Sequence, residues 1–235
     1  MSFWKVTVKR STRLSKSYFI IGTITTIYGV VLSNLMTIIP SIIPPDNTPA
    51  PIDLVSNFPL LSIALLSLSA VLFALPVIML FVYDKNNGVL EYLLSTGLDQ
   101  LDIFKGYVKS SLVLATYLLI FAIILNTVVG ALIGTSLTML TTIAILTFTI
   151  GISEVFLVSI CMVAFSSLQR TPMGANQPLG IIVGVVPMFP ALLLPLAFPK
   201  YAIVVDLAIA AIIMLASIAL LLSTGRLIRR EKLLP

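Results

Sequence analysis

The sequence predicts an all-α, polytopic membrane protein with six transmembrane helices and a cytoplasmic amphipathic helix between helices 2 and 3. Of its 235 residues, 59% are hydrophobic and only 10% are charged, whereas a soluble globular domain carries about 25% charged residues. The apolar runs continue for about 20 residues, the length of a membrane-spanning helix, and do not alternate over about 10 residues as barrel strands do. We therefore expect one membrane domain over 17–225, without an attached soluble domain.

The predicted spans are separated by residues that break or end helices. Pro40 is expected to end the first span, Pro76 to kink the second, and three prolines to interrupt the fifth, which would then turn back through a short hairpin. The fourth span would be about 46 Å long as one helix. That exceeds the hydrocarbon core of ~30 Å, so this span must tilt, break or project beyond the lipid. The expected spans are 17–39, 58–82, 101 or 107 to 129, 137–167, 178–198 and 201–223.

The basic residues predict the orientation in the membrane. With six spans and both ends on one side, thirteen of the fourteen Lys and Arg residues fall on that side, and Lys200 alone falls on the other. Positive charge concentrates on the cytoplasmic side. Both termini and the 83–106 connection are therefore predicted to be cytoplasmic in a multi-pass protein of the cell membrane. The net charge of +5 then reflects topology, and no nucleic-acid partner is expected.

Two basic segments flank the membrane domain, at 1–16 and at 226–235. If 1–16 were helical, Lys5, Lys9, Arg13 and Lys16 would share one side, and Phe3, Trp4, Val6 and Leu14 could enter the membrane interface. The alternation from Trp4 to Lys9 also resembles a strand. The charge pattern favours a basic anchor before the first span over a defined interfacial helix.

Composition excludes most catalytic sites. The chain has no histidine, which removes His-dependent metal sites and Ser-His-Asp or Cys-His catalysis. It also lacks a Gly-x-x-x-x-Gly-Lys-Ser/Thr loop for nucleotide hydrolysis. Cys161 is the only cysteine, so no disulfide framework is expected.

The connection between the second and third spans is rich in polar residues, and its pattern predicts a short helix between a turn and a helix-ending glycine. Asn86-Asn87-Gly88 is a turn signal, and apolar residues then recur at helical spacing up to Leu94. Gly97 can end this helix in the left-handed conformation. Asp99 is a suitable N-cap for the next helix, with Asp102 in its first turn.

This connection resembles the signature loop of type-2 exporter permeases, a family of ATP-binding-cassette (ABC) transporters. Residues 88–98 read Gly-Val-Leu-Glu-Tyr-Leu-Leu-Ser-Thr-Gly-Leu and are followed by Asp-Gln-Leu-Asp-Ile-Phe-Lys-Gly. The family loop commonly reads Gly-Thr-Leu-Glu-x-Leu-Leu-x-Thr-Pro-Leu, then a polar helix start and Gly-Lys. Val89 and Gly97 depart from that pattern, and the basic residues are displaced to Lys105 and Lys109.

The resemblance implies a non-catalytic permease subunit that works with partners. In the family this loop is a coupling helix that sits on a cytosolic ABC ATPase, which binds the ATP and Mg²⁺, so no cofactor is expected on this chain. A second permease, identical or different, and membrane lipid are the other implied partners. Glu91 corresponds to the acidic residue of the family loop and would pair with basic residues of the ATPase, while Leu90, Leu93 and Leu94 would pack in the ATPase groove or against the membrane domain. The implied ATPase contacts are Asn87, Gly88, Val89, Leu90, Glu91, Tyr92, Leu93, Leu94, Ser95, Thr96, Gly97 and Leu98.

Among the polar residues inside the predicted spans, four are considered individually. Exposing a charged Glu154 side chain to lipid would cost free energy. Glu154 therefore either lines the translocation path or is a protonated carboxyl that is hydrogen-bonded between helices. The second interpretation is favoured, because burial in an apolar environment favours the neutral carboxyl. Asn34 and Asn126 are expected to bond between helices, and Asp206 to be satisfied by water or Lys200.

Two other classes of protein remain open. One is a small transporter or channel that needs no ATPase, although no inverted repeat is found between the two halves. The other is an intramembrane enzyme, for which no nucleophile and base pair is present. Co-purification with a cytosolic ATPase separates the permease from both.

Overall fold

The computed structural model describes residues 3–14, 16–42, 58–165, 193–194, 197–198 and 201–227, and the regular structure in them is helical. Five helices contain a stretch long and apolar enough to cross a membrane: Lys16–Leu35, Ile63–Asn86, Gln100–Ile133, Leu137–Cys161 and Ala202–Ser223. The all-helical character predicted from composition is confirmed for this part of the chain, and these five helices are consistent with a polytopic membrane protein. The helices are α1 (Phe3–Leu14), α2 (Lys16–Ile42), α3 (Phe58–Asn86), α4 (Val89–Ser95), α5 (Gln100–Ile133), α6 (Leu137–Phe165) and α7 (Ala202–Leu227).

Three predicted boundaries are wrong. The first span does not end at Pro40, since α2 continues to Ile42. The second continues past 82 to Asn86. The third ends at Ile133 and not at 129, because Gly134 takes a left-handed conformation (φ 87°) and caps it. The predicted loop at 43–57, most of the fifth span and the basic tail from 228 lie outside the described residues.

The bundle is built around α6, which packs against α3, α5 and α7. Small residues bring these helices close together: Ala70 and Ala74 of α3 and Ala115 of α5 lie in one buried cluster with Val155 and Val158 of α6. Membrane helices that contact each other directly are held together by such close packing. A Cβ at Gly151 of α6 would lie only 2.8 Å from Leu119 Cδ2 of α5.

The outer faces of the bundle are apolar. α2, α5 and α7 each expose a row of large hydrophobic side chains in the single chain. Apolar faces of this extent are covered by lipid or by other helices in a membrane protein. Representative residues are Ile20, Ile24 and Val31 of α2, Ile124, Val128 and Leu132 of α5, and Ile212, Leu215 and Leu222 of α7.

Candidate functional site

The connection between α3 and α5 folds as the turn, helix and stop that its sequence predicts. Gly88 (φ 72°) and Gly97 (φ 86°) both take left-handed conformations, and α4 lies between them. The backbone N–H of Gly97 donates to the carbonyl of Leu94 at 3.1 Å, which closes the helix. Asp99 occupies the N-cap position of α5 with an extended backbone, but its side chain makes no capping hydrogen bond.

The leucine side of α4 faces the bundle. Leu90 is 1% exposed, and Leu93 and Leu94 are partly buried against a cluster that includes Phe81 of α3 and Phe104 of α5. Of the two surfaces expected for these leucines, the structure brings them to the membrane domain. α4 is therefore packed on α3 through its apolar side, in a cluster to which α5 also contributes.

The opposite side of α4 is open. Tyr92 is 67% exposed, and five other predicted contact residues are exposed with it. We refer to this surface as the outer face of α4. It consists of Asn87, Tyr92, Ser95, Thr96, Gly97 and Leu98.

Glu91 lies between the two sides of α4. It is half-buried, and its Oε1 has no solvent exposure and no hydrogen-bond partner among the described residues. A Cβ added to Gly88 would lie 3.8 Å from Oε2. One oxygen of the Glu91 carboxylate therefore lacks a hydrogen bond, which is unfavourable unless another group supplies a donor.

A charged network that the sequence did not reveal joins the two ends of the connection. Arg10 of α1 donates two hydrogen bonds to Asp84 of α3, from Nη1 to Oδ2 at 2.9 Å and from Nη2 to Oδ1 at 2.7 Å. The Tyr107 hydroxyl of α5 donates to the same Oδ2 at 2.5 Å. Asp84 is fully buried, and a buried carboxylate requires such partners. The hydrogen bonds to Asp84 raise the pKa of the Arg10 guanidinium, so Arg10 stays cationic.

The network depends on a docked helix at the N-terminus. The favoured prediction of a basic anchor without a defined helix is wrong, because residues 3–14 form α1. The Phe3 ring, which the helical alternative expected at the membrane interface, packs edge-on against Tyr107 at a centroid distance of 5.4 Å. It also occupies the space beside Gly106 that a Cβ would fill. The glycine at 106 was the available sequence signal for this close approach.

A second group of buried polar side chains lies within the bundle. Glu154 of α6 is 1% exposed, and neither of its carboxylate oxygens has a hydrogen-bond partner among the described residues. Ser67 of α3 lies beside it, but the Ser67 hydroxyl donates to the Ala64 carbonyl at 3.0 Å. Because Ser67 is close enough to interact with the Glu154 carboxyl, the favoured expectation of a carboxyl bonded between helices stays a prediction.

Two further predictions for buried polar residues have different outcomes. Asn34 donates to Oδ1 of Asn126 at 3.0 Å, so the bond expected between these helices is confirmed. Asp206 of α7 is also buried and without a hydrogen-bond partner in the described part of the chain. Its expected partner, Lys200, lies outside that part.

No protein-family model, curated protein or solved structure matches this chain.

Proposed function

We propose that this chain is the permease subunit of an ABC exporter, with six membrane spans and α4 as its cytoplasmic coupling helix. The observation that supports this most strongly is the two-sided placement of α4. Its leucines pack in a cluster to which α3 and α5 both contribute, while its outer face is open to a partner. A protein pressing on that face would move both helices at once.

The Arg10–Asp84–Tyr107 network supports the same role. It joins α3 and α5 directly at the two ends of the connection and ties both to α1. Buried ion pairs with good geometry hold one arrangement because breaking them leaves an unpaired charge. α1, α3, α4 and α5 would therefore transmit a displacement as one unit.

The proposed mechanism follows from this connectivity. Closure of two ATPases on ATP pushes α4 toward the membrane, and α3 and α5 tilt because they are joined to it by only a few residues at each end. The tilt switches access to a cavity between two permease subunits. This chain supplies no catalytic group to hydrolysis, and ATP and Mg²⁺ belong to the ATPase.

Site-directed cross-linking to the ATPase tests this proposal. A cysteine at the exposed Ser95 is expected to cross-link to a co-expressed cytosolic ATPase, because it lies on the outer face of α4. Thr138 is an exposed hydroxyl residue in the first turn of α6, and Thr138→Cys is the control that should not react. The native Cys161 is buried. Equal cross-linking at both positions, or none at Ser95 in a complex that co-purifies, contradicts the proposal.

Glu154 and Asp206 favour a second candidate, a small transporter that needs no ATPase. Ionisable residues buried within membrane helices mark ion or proton pathways, and these two lie on α6 and α7, which pack together. Proteoliposomes containing only this chain distinguish the candidates. Transport driven by an ion gradient that Glu154→Gln abolishes would favour this candidate over the ATP-dependent permease.

A further inference from the structure

The only tryptophan of the chain lies where α1 crosses α5, between two lysine side chains. The ammonium nitrogen of Lys5 is 5.7 Å from the centroid of the Trp4 ring, and that of Lys109 is 5.2 Å from it. Lys9 is one turn along α1, and Lys105 is one turn before Lys109; all four lysines are exposed. We call Trp4 and these four lysines the Trp4 corner.

The position of this corner is fixed by packing. Ser110 of α5 donates to the Trp4 carbonyl at 3.1 Å, and Phe3 fills the space beside Gly106. The lysines of α1 and α5 are therefore brought together by the docking of two helices. Converging cations repel one another, and the repulsion is relieved when an anion lies between them.

The chain supplies little negative charge here. Within the described residues, no ion pair joins Lys5, Lys9 or Lys109 to a carboxylate, and the buried Asp84 is already bound by Arg10. Asp102 is exposed one turn before Lys105 on α5 and can offset one charge at most. A net positive, preorganised surface remains.

The neighbouring sequence indicates the kind of anion. From 110 to 133, α5 contains no charged residue, so Lys109 stands at the edge of the apolar stretch. Tryptophan and lysine at such an edge are typical of the membrane interface. α1 also exposes Leu14 and Val6, which can contact acyl chains. We propose that the Trp4 corner binds the phosphate group of an anionic membrane phospholipid; the site requires that α5 spans the membrane but does not require the ATPase.

Trp4 itself reports on occupancy. The purified chain in neutral micelles is titrated with phosphatidylglycerol, with phosphatidylcholine and with inorganic phosphate while tryptophan emission is recorded. Phosphatidylglycerol is expected to change the emission saturably, and phosphatidylcholine is not. Basic residues near a membrane surface contribute about 1 kcal/mol each, so Lys5→Gln and Lys109→Gln should each weaken binding about five-fold and together about thirty-fold.

Lys16→Gln is the matched control. Lys16 is an exposed basic residue at the start of α2, beyond the end of α1 opposite to Trp4, and its loss should weaken binding less than about two-fold. Equal effects of Lys16→Gln and Lys5→Gln would overturn the local site in favour of a diffuse basic surface. Saturation by inorganic phosphate with the affinity of the lipid would overturn the assignment to lipid. Unchanged circular dichroism in neutral micelles shows that the variants are folded.

Discussion

Asp84 is an α3 residue whose carboxylate binds side chains from both α1 and α5. It is fully buried, whereas Arg10 is 38% exposed, so one side of the pair is in contact with water. Removal of one partner from a buried pair costs about 3–5 kcal/mol, and partial exposure reduces that value. The contribution of this pair to stability therefore shows whether α1 is docked in the folded protein.

Arg10→Gln is expected to destabilise the purified chain by about 2–3 kcal/mol, because it leaves the buried Asp84 with a weaker partner. Asp84→Asn alone should cost a similar amount. The double variant should cost less than the sum of the two, by at least about 1 kcal/mol. Thermal or denaturant unfolding measures all three, and strict additivity would show that the two groups do not interact.

The effect of Glu154 on stability can be compared with that of a hydrogen-bonded polar residue of the same helix. Both Glu154 oxygens lack a partner among the described residues, whereas Ser159 is hydrogen-bonded to Ser111 at 2.6 Å. Replacing an unsatisfied buried polar group by an apolar one of similar shape is neutral or stabilising. Glu154→Met should therefore maintain or raise the unfolding temperature, and Ser159→Ala should lower it.

Transport then decides the role of Glu154. Loss of transport by a Glu154→Met variant of unreduced stability is expected if the carboxyl lines the translocation path. A Glu154→Gln variant that assembles normally and transports fully would remove Glu154 from the mechanism, and destabilisation by Glu154→Met would indicate a structural hydrogen bond.

At the scale of elements, α4 is defined by two glycines with positive φ. Proline is the residue usual at position 97 in the family that the connection resembles, yet the φ of Gly97 is 86° and proline requires about −65°. In this chain, α4 is therefore ended by the left-handed backbone conformation of Gly97. A Cβ at Gly97 would have open space around it, so any cost of substitution is conformational.

Gly97→Pro is expected to disrupt the stop and to destabilise the chain by about 3 kcal/mol, while Gly97→Asn, which tolerates the left-handed conformation, should cost less than about 1 kcal/mol. Unfolding experiments on the two variants compare these costs. Proline tolerated as well as asparagine would contradict the conformation of this turn.

The docking of α1 gives a second prediction for elements. Gly106→Ala places a Cβ in the space held by Phe3, so α1 should detach although alanine favours the helical conformation of α5. Limited trypsin digestion detects this as faster cleavage within α1, which carries Lys5, Lys9, Arg10 and Arg13. Phe3→Ala combined with Gly106→Ala makes room again and should slow the cleavage; failure to do so would contradict the proposed packing.

At the scale of the whole molecule, local signals predicted most of the described helices but few of their contacts. Asn87-Gly88 and Thr96-Gly97 defined α4, since turn chemistry depends on neighbouring residues. The link from Arg10 to Asp84 spans 74 residues, and no periodicity encodes a contact of that separation. The sequence therefore indicated where α4 lies, whereas the attachment of α1 to α3 could be seen only in the packed bundle.

Docking of an ATPase on α4 is the central claim, and a density map of the natively purified complex tests it most directly. The proposed function predicts two permease chains with an ATPase beneath each, in contact with Tyr92 and Ser95 on the outer face of α4. A complex in which that face is bare, or lies on the side of the membrane opposite any ATPase, would contradict it.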